Sequence, residues 1–326
     1  MSKKLSVCIV TYNHQDYISE CIESVLSQKV DFDFEIIIAQ DCSTDKTGDI
    51  VREFKDNYPE IITIIDRDVN VGVMQNYEDV FKLARGEYIS FLDGDDYMLP
   101  GKLSVQVDVL DNNSECNIAS HPLSNFESKT GLILSTPHKY EEIKKFTLED
   151  MIVNGFLFSH SSKMFRRSSL PEEIVDKKTK NCTDYLLHMQ NCLNGKVIHI
   201  NKVLGMHRVH SSSLSRSNMK KGNISFALND QIYALDKISK AKNIDSSTLN
   251  IGYKRVLLWG LRKSFLAKDF QEIIRIKSIW SEKLPHIKIP ITYSIISKLK
   301  PLTFIVATSY SLAFYFRGLI RSLRHA

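Results

Sequence analysis

The chain has 326 residues, 43% of them hydrophobic and 25% charged, with a mean hydropathy of −0.18. These proportions fit a globular protein with a real core and exclude a multi-span membrane protein. The net charge of +5 is divided: residues 1–218 hold 24 Lys/Arg against 32 Asp/Glu, net −8, and residues 219–326 hold 19 against 6, net +13. The acidic part is no nucleic-acid footprint and suits a divalent cation, whereas the basic part suits an anionic surface, lipid first.

Leu5–Val10 is apolar and β-branched, followed by the polar run Thr11-Tyr12-Asn13-His14, and reads as a buried strand. The apolar run after Lys3-Lys4 is too short for a signal-peptide core. Ile18, Ile22, Val25 and Leu26 follow at helical spacing. Phe34–Ala39 is a second strand, and Ser43-Thr44-Asp45 supplies cap chemistry for a helix carrying Ile50, Val51 and Phe54. Ile61–Ile65 is a third strand, Gln75–Ala84 a helix with Tyr77, Val80 and Phe81 on one face, and Tyr88–Leu92 a fourth strand. Strands alternating with helices predict a mostly parallel sheet covered on both faces, with ligands beyond the carboxyl ends of the strands. The polar clusters Thr11–Asn13, Asp41–Asp45, Asn70–Asn76 and Asp93–Asp96 all lie at such ends.

Residues 100–215 are less regular. The polar stretch 216–224 marks a boundary, drawn at 218/219, and the remainder reads helical, with Ile232, Leu235 and Ile238, then Val256, Leu257, Leu261 and Phe265. Trp259 and Trp280 fall in apolar helical patterns and read as core. Leu302–Phe316 is fifteen residues without a charge, flanked by Lys298, Lys300, Arg317, Arg321 and Arg324. A spanning helix needs about 20 apolar residues, so core, interfacial and membrane-inserted readings compete. The six cysteines, Cys8, Cys21, Cys42, Cys116, Cys182 and Cys192, lack C-x-x-C spacing and read as reduced thiols of a cytoplasmic protein.

The chemistry concentrates in Phe91-Leu-Asp-Gly-Asp-Asp96. Three carboxylates at a strand end would repel and raise one another's pKa, and a hard cation, Mg²⁺ or Mn²⁺, resolves this. Gly94 would let backbone approach a nucleotide closely. Asp41, at the end of the second strand, could accept a hydrogen bond from a base N–H. Lys163, Arg166 and Arg167 read as a solvated basic face, and His207 as structural.

Together, Ser6–Asn13, Asp41–Asp45, Asn70-Val-Gly72 with Asn76, Ala84–Ile89, and Leu92–Asp96 with Pro100 resemble the family 2 glycosyltransferases, with a weaker match at Thr183–Tyr185 and Arg208–His210. The resemblance implies an α/β GT-A fold: a Rossmann-like three-layer α/β/α sandwich with a mostly parallel mixed sheet, here followed by a helical C-terminal region. It implies an inverting transfer of a sugar from a nucleoside-diphosphate donor, UDP-linked in many relatives, to an acceptor hydroxyl on a glycan or lipid-linked glycan. Thr11, Tyr12 and Asn13 would line the nucleotide and Asp41 would read the uracil edge. Asp45, Asn70, Gly72, Asn76, Gly94 and Arg208 complete the nucleotide-sugar set. Asp93 would face the ribose, while Asp95, with Asp93 and His210, would hold the metal, and Asp184 would be the general base. The basic region after residue 218 would associate with an anionic membrane surface, placing the protein on the inner face of the cell membrane. The competing functions are a metal-dependent phosphotransferase or nucleotidyltransferase and a non-catalytic nucleotide-sugar-binding module. Asp96-Tyr97 after the acidic turn and the absence of glycine in Thr11–His14 speak against the first two.

Overall fold

The computed structural model describes residues 3–135, 143–180, 183–210 and 223–290. The boundary at 218/219, the run Leu302–Phe316 with its flanking basic residues, and Cys182 lie outside the described residues.

Four strands form the centre: β1 (Leu5–Thr11), β2 (Phe34–Gln40), β3 (Ile62–Asp66) and β4 (Tyr88–Asp93). β1 pairs in parallel with β2 and β4, with Thr11 opposite Gln40 and Val10 opposite Asp93, so these strands end at one edge. Helices α1 (Ile18–Leu26), α2 (Thr47–Asn57) and α3 (Val73–Leu83) follow the first three strands. Alternation along β1 divides the core into two layers. Leu5, Val7 and Ile9 pack with Ile18, Ile22 and Val25 of α1 and with Val51, while Cys8 and Val10 face Val80 and Phe81 of α3. Each such side chain contributes about 1.5–3 kcal/mol when fully buried.

After β5 (Tyr97–Met98) and α4 (Lys102–Asp111), the sheet grows by strands distant in sequence: β6 (Cys116–Ser120), β9 (Lys144–Phe146), β10 (Met164–Arg166) and β11 (Lys196–His199). Its order is β3-β2-β1-β4-β10-β6-β11-β9, with β10 antiparallel to both neighbours. A second sheet holds β5, β12 (Gly205–Val209), β7 (Leu123–Glu127) and β8 (Ile133–Ser135), in the order β5-β12-β7-β8. Helices α5 (Leu148–Asn154) and α6 (Thr183–Asn191) cover the α3 side. Helices α7 (Asn223–Ala241), α8 (Ser246–Leu266) and α9 (Phe270–Lys283) complete the helical C-terminal region. Leu228, Leu235, Val256 and Trp280 share one buried cluster with Phe91, Phe165 and Tyr185, so these helices extend the core of the sheet. Among the described residues no helix is long and apolar enough to cross a membrane.

At the opposite edge of the sheet, the stretch Ala84–Ile89 has a purely structural use. Buried Glu35 accepts from the Arg85 backbone at 2.9 Å, from its guanidinium Nε at 3.0 Å and from Ser6 Oγ at 2.7 Å. A Cβ on Gly86 would meet the Ser6 nitrogen at 2.4 Å, so only glycine fits against β1 there.

Candidate active site

The loops beyond β1, β2 and β3 are tied to one another by the side chains that the sequence singles out. Asn13, with a left-handed φ of 54°, accepts from the Thr44 backbone at 2.8 Å, and its own N–H donates to Ser43 Oγ at 3.1 Å. Asp45 accepts from the Thr47 N–H at 2.9 Å at the start of α2 and from the Gln15 N–H at 3.1 Å. Burial pushes its carboxyl up, but the Thr47 and Gln15 bonds win and hold it below the usual range. Asp41, 3% exposed, accepts from the Val71 N–H at 2.8 Å and the Gly72 N–H at 3.0 Å, and its backbone oxygen takes the Asn70 amide at 3.0 Å. Gly72 has a φ of 87°, which a side chain would strain. Asn76 is fully buried and donates to the Gly72 carbonyl at 3.1 Å. Gln40 is equally engaged: it donates to Asp66 at 2.8 Å and accepts from the Ser43 N–H at 2.5 Å. Tyr12, Asn13, Thr44 and Asn70 are exposed.

The turn after β4 is arranged differently. Gly94 lies against β1, and a Cβ there would meet Thr11 Oγ1 at 2.6 Å and His14 Nδ1 at 3.1 Å. Its small size is therefore already required by the protein's own packing. Asp93 accepts from Ser161 Oγ at 2.9 Å; burial first, then the Asp96 and Asp95 charges, push its carboxyl well up. Asp95 moves the other way. Burial would raise it, but a hydrogen bond with His210 Nε2 at 2.9 Å and the nearby His14 hold it low. The mutual repulsion expected of three carboxylates is thus resolved within the chain, with one pushed toward neutrality and its neighbour kept ionised. Asp96, buried, accepts from the Arg208 N–H at 2.9 Å and pairs with His207 Nδ1 at 3.1 Å. That bond lifts His207 to about 9.

Arg208 supports the turn from behind. Its Nε donates to the Asp95 carbonyl at 2.8 Å, it pairs with Glu20 of α1, and its guanidinium stacks 4.6 Å from the rings of Tyr17 and Phe126. Strand β12 thus brings Arg208 and His210 from over a hundred residues away onto the acidic turn. Sequence reasoning named both but missed His14, Ser161 and the Asp96–His207 pair. The period-two spacing of Arg208 and His210 on a strand was the available signal.

Asp184 opens α6, half-buried, with its carboxylate accepting from the Tyr185 N–H at 2.9 Å. Burial raises its carboxyl, opposed by that N–H and by Lys163. The Tyr77 hydroxyl is raised well above its usual range, by burial first and then by the Asp93 and Asp184 charges, and its ring packs on Phe91 and His160. Lys163, expected on a solvated face, is fully buried instead. Arg166 and Arg167 donate to backbone carbonyls of Cys116 and Gly86 at 2.9 Å each and hold β10 in place.

For a divalent cation, the donor chemistry fits. No group of three or more His, Cys, Asp or Glu side chains able to hold a metal occurs among the described residues. Asp95 and His210, a carboxylate–imidazole pair 2.9 Å apart, are nevertheless donors of the kind a hard ion accepts when phosphate oxygens and water fill its other positions.

Known proteins resemble the chain in sequence and in fold. A sequence model described as glycosyl transferase family 2 matches residues 6–173. An uncharacterized protein of Mycobacterium tuberculosis is 29% identical over 220 residues, 65% of this chain and 61% of its own length. The chain therefore spans about 61% of that relative. The poly(ribitol-phosphate) beta-glucosyltransferase of Bacillus spizizenii is 42% identical over 99 residues, 29% of this chain and 15% of that protein. Among solved structures, S. aureus TarS 1–349 in complex with UDP-GlcNAc superposes with a TM-score of 0.69 at 21% identity, covering 94% of this chain and 87% of that one. The likeness fixes the GT-A fold, and with the matched stretch it shows that the chain belongs to glycosyl transferase family 2.

Proposed function

We propose that the chain transfers a sugar, with inversion, from a UDP-linked donor to a hydroxyl of a lipid-linked or growing surface polysaccharide. The observation that carries this reading is the contact of Asp95 with His210 at 2.9 Å, on a buried turn two loops from Asp41. The UDP-GlcNAc held by TarS and the polymeric acceptor named for the Bacillus relative support the donor and acceptor classes.

In this reading Asp95, His210 and Asp93 hold Mg²⁺ or Mn²⁺, which when bound offsets the charge of the donor diphosphate. The loop of Asn70–Gly72, pinned by Asp41, and the Asn13–Thr44 bridge form the wall against which the nucleotide packs. Asp184 takes the proton of the acceptor hydroxyl as the new C–O bond forms and the bond to the nucleoside diphosphate breaks. One displacement inverts the anomeric carbon. A carboxylate suffices as base because the proton moves late, and its raised affinity for protons favours the transfer. The chain divides at 218/219 into this catalytic part and the basic helical part. The net charge of +13 over residues 219–326 attracts the protein to anionic lipid, at about 1 kcal/mol per near-surface basic residue.

The test is release of UDP from UDP-glucose, UDP-galactose and UDP-N-acetylglucosamine in the presence of Mn²⁺. Release from one of them, stopped by a chelator, is expected. No release from any, or release indifferent to the chelator, contradicts the reading. Flotation with phosphatidylglycerol vesicles at low salt reads the membrane part, and a protein that stays with the soluble fraction refutes it.

A further inference from the structure

Helix α4 carries two fully buried polar side chains one turn apart, Lys102 and Gln106. Both reach the short 3-10 turn His160–Ser162. Lys102 Nζ donates to the Ser161 carbonyl at 2.7 Å. Gln106 Nε2 donates to the Ser162 carbonyl at 2.9 Å and to the Ala119 carbonyl of β6 at 2.8 Å. The turn also closes on itself: Ser162 Oγ donates to the Ser159 carbonyl at 2.7 Å, and the Lys163 N–H to the His160 carbonyl at 3.2 Å. Two successive carbonyls of the turn are thus gripped from one helix.

The group this grip presents to the acidic turn is Ser161 Oγ, on a residue 2% exposed. It accepts from the Asp93 N–H at 3.2 Å and donates to Asp93 Oδ2 at 2.9 Å. A hydroxyl has a single proton to give, and here it goes to one oxygen of the carboxylate. Because both bonds fall on the same residue, they fix the Asp93 side chain against its own backbone. Among the described residues no hydrogen bond reaches Asp93 Oδ1, so this oxygen is left for a ligand.

We propose that Ser161 and Lys102 are positioning residues for Asp93: the hydroxyl engages Oδ2 so that the carboxylate meets a divalent cation through Oδ1, and Lys102 holds the hydroxyl in place through the Ser161 backbone. This rests on the reading of Asp93 as a metal ligand. Two roles for Lys102 can be told apart by sign. Burial pushes its ammonium down to about 7, and the Asp96 charge opposes this, so Lys102 also feels the acidic turn. If charge were its whole effect, removing the ammonium would strengthen the hold on a cation. If it acts as a clamp, removing it weakens that hold, because Asp93 loses its fixed direction.

The experiment is calorimetry of UDP binding to the full chain with and without Mn²⁺, and the quantity read is the factor by which Mn²⁺ strengthens UDP. Ser161→Ala should lower that factor by about 10–100-fold, the range for loss of a group that orients a metal ligand, while UDP affinity without Mn²⁺ stays at the parent value. Lys102→Met should lower it too, by about 10-fold. Should Lys102→Met fail to fold, Lys102→Gln, which keeps a polar head in the space, takes its place with the same expectation. A parent-like factor in Ser161→Ala overturns the proposal. A factor equal to or above the parent's in the Lys102 variant overturns the clamp and leaves Lys102 as a counter-charge. A parent protein whose UDP affinity ignores Mn²⁺ refutes the metal reading itself, and this inference with it.

Discussion

Asp41 and Asp95 lie on either side of β1 at the same edge of one sheet, and the protein treats them in opposite ways. Asp41 spends both carboxylate oxygens on backbone amides of the next loop and has become part of the frame. Asp95 faces two imidazoles, His210 at 2.9 Å and His14 at 3.9 Å, and its neighbour Asp93 is pushed toward the neutral form. Carboxylates bound to fixed amides build a wall. Carboxylates matched to titratable or coordinating partners can exchange them for a ligand. The difference separates residues that shape the site from residues that act in it, although both kinds sit in equally distinctive sequence motifs.

That division can be tested by substitution. The largest effect is expected from Asp184→Asn, which should lower turnover by about 10²–10⁴-fold with UDP affinity retained; steady-state rates and calorimetry read the two halves. Next comes Asp95→Asn, expected to lower turnover by about 10²–10³-fold, in the range for loss of one electrostatic partner of the leaving group. Asp41→Asn should behave as a wall residue. It loses a charged hydrogen bond worth about 1.5–3 kcal/mol, weakening UDP about 10–100-fold while kcat stays near the parent value. A fall in kcat equal to that of Asp95→Asn would erase the distinction.

Smaller effects concern stability alone. Gly94→Ala drives a Cβ to 2.6 Å from Thr11 Oγ1 and should cost about 1–3 kcal/mol, read as a lowered Tm. His207 titrates near 9 in the fold against an ordinary value near 6.5. Its raised pKa contributes stability that is fully present below pH 6.5 and lost as the pH climbs to 9. The Tm deficit of His207→Gln should therefore be largest near pH 6 and vanish by about pH 9.5. Lys102 and Lys163, pushed by burial to about 7, drive stability the other way in both proteins and cancel in the difference.

The first hundred residues are legible because each strand is a short β-branched run and each helix shows a single stripe. β1 to β4 and their helices fall within a residue or two of the sequence reading. The later strands are not legible in this way, because their pairings are long-range. β10 is three residues long and has no periodicity of its own, yet it joins β4 to β6. The second sheet is similarly closed by β12 lying beside β5 and β7. The site shows the same limit. Asp93 and Asp95 stand out in the sequence, but the Asp96–His207 contact joins residues 111 positions apart. Lys163 escapes a sequence reading because a lysine in a polar stretch is ordinarily solvated. Only the packing of α6 on the turn at His160 reveals it as buried.

Calorimetry of UDP binding to the parent protein and to Asp95→Asn, each with and without Mn²⁺, tests the central claim most directly. The account expects Mn²⁺ to strengthen UDP binding to the parent protein and to leave the variant unaffected. UDP binding that is the same with and without Mn²⁺, and the same in both proteins, would contradict it.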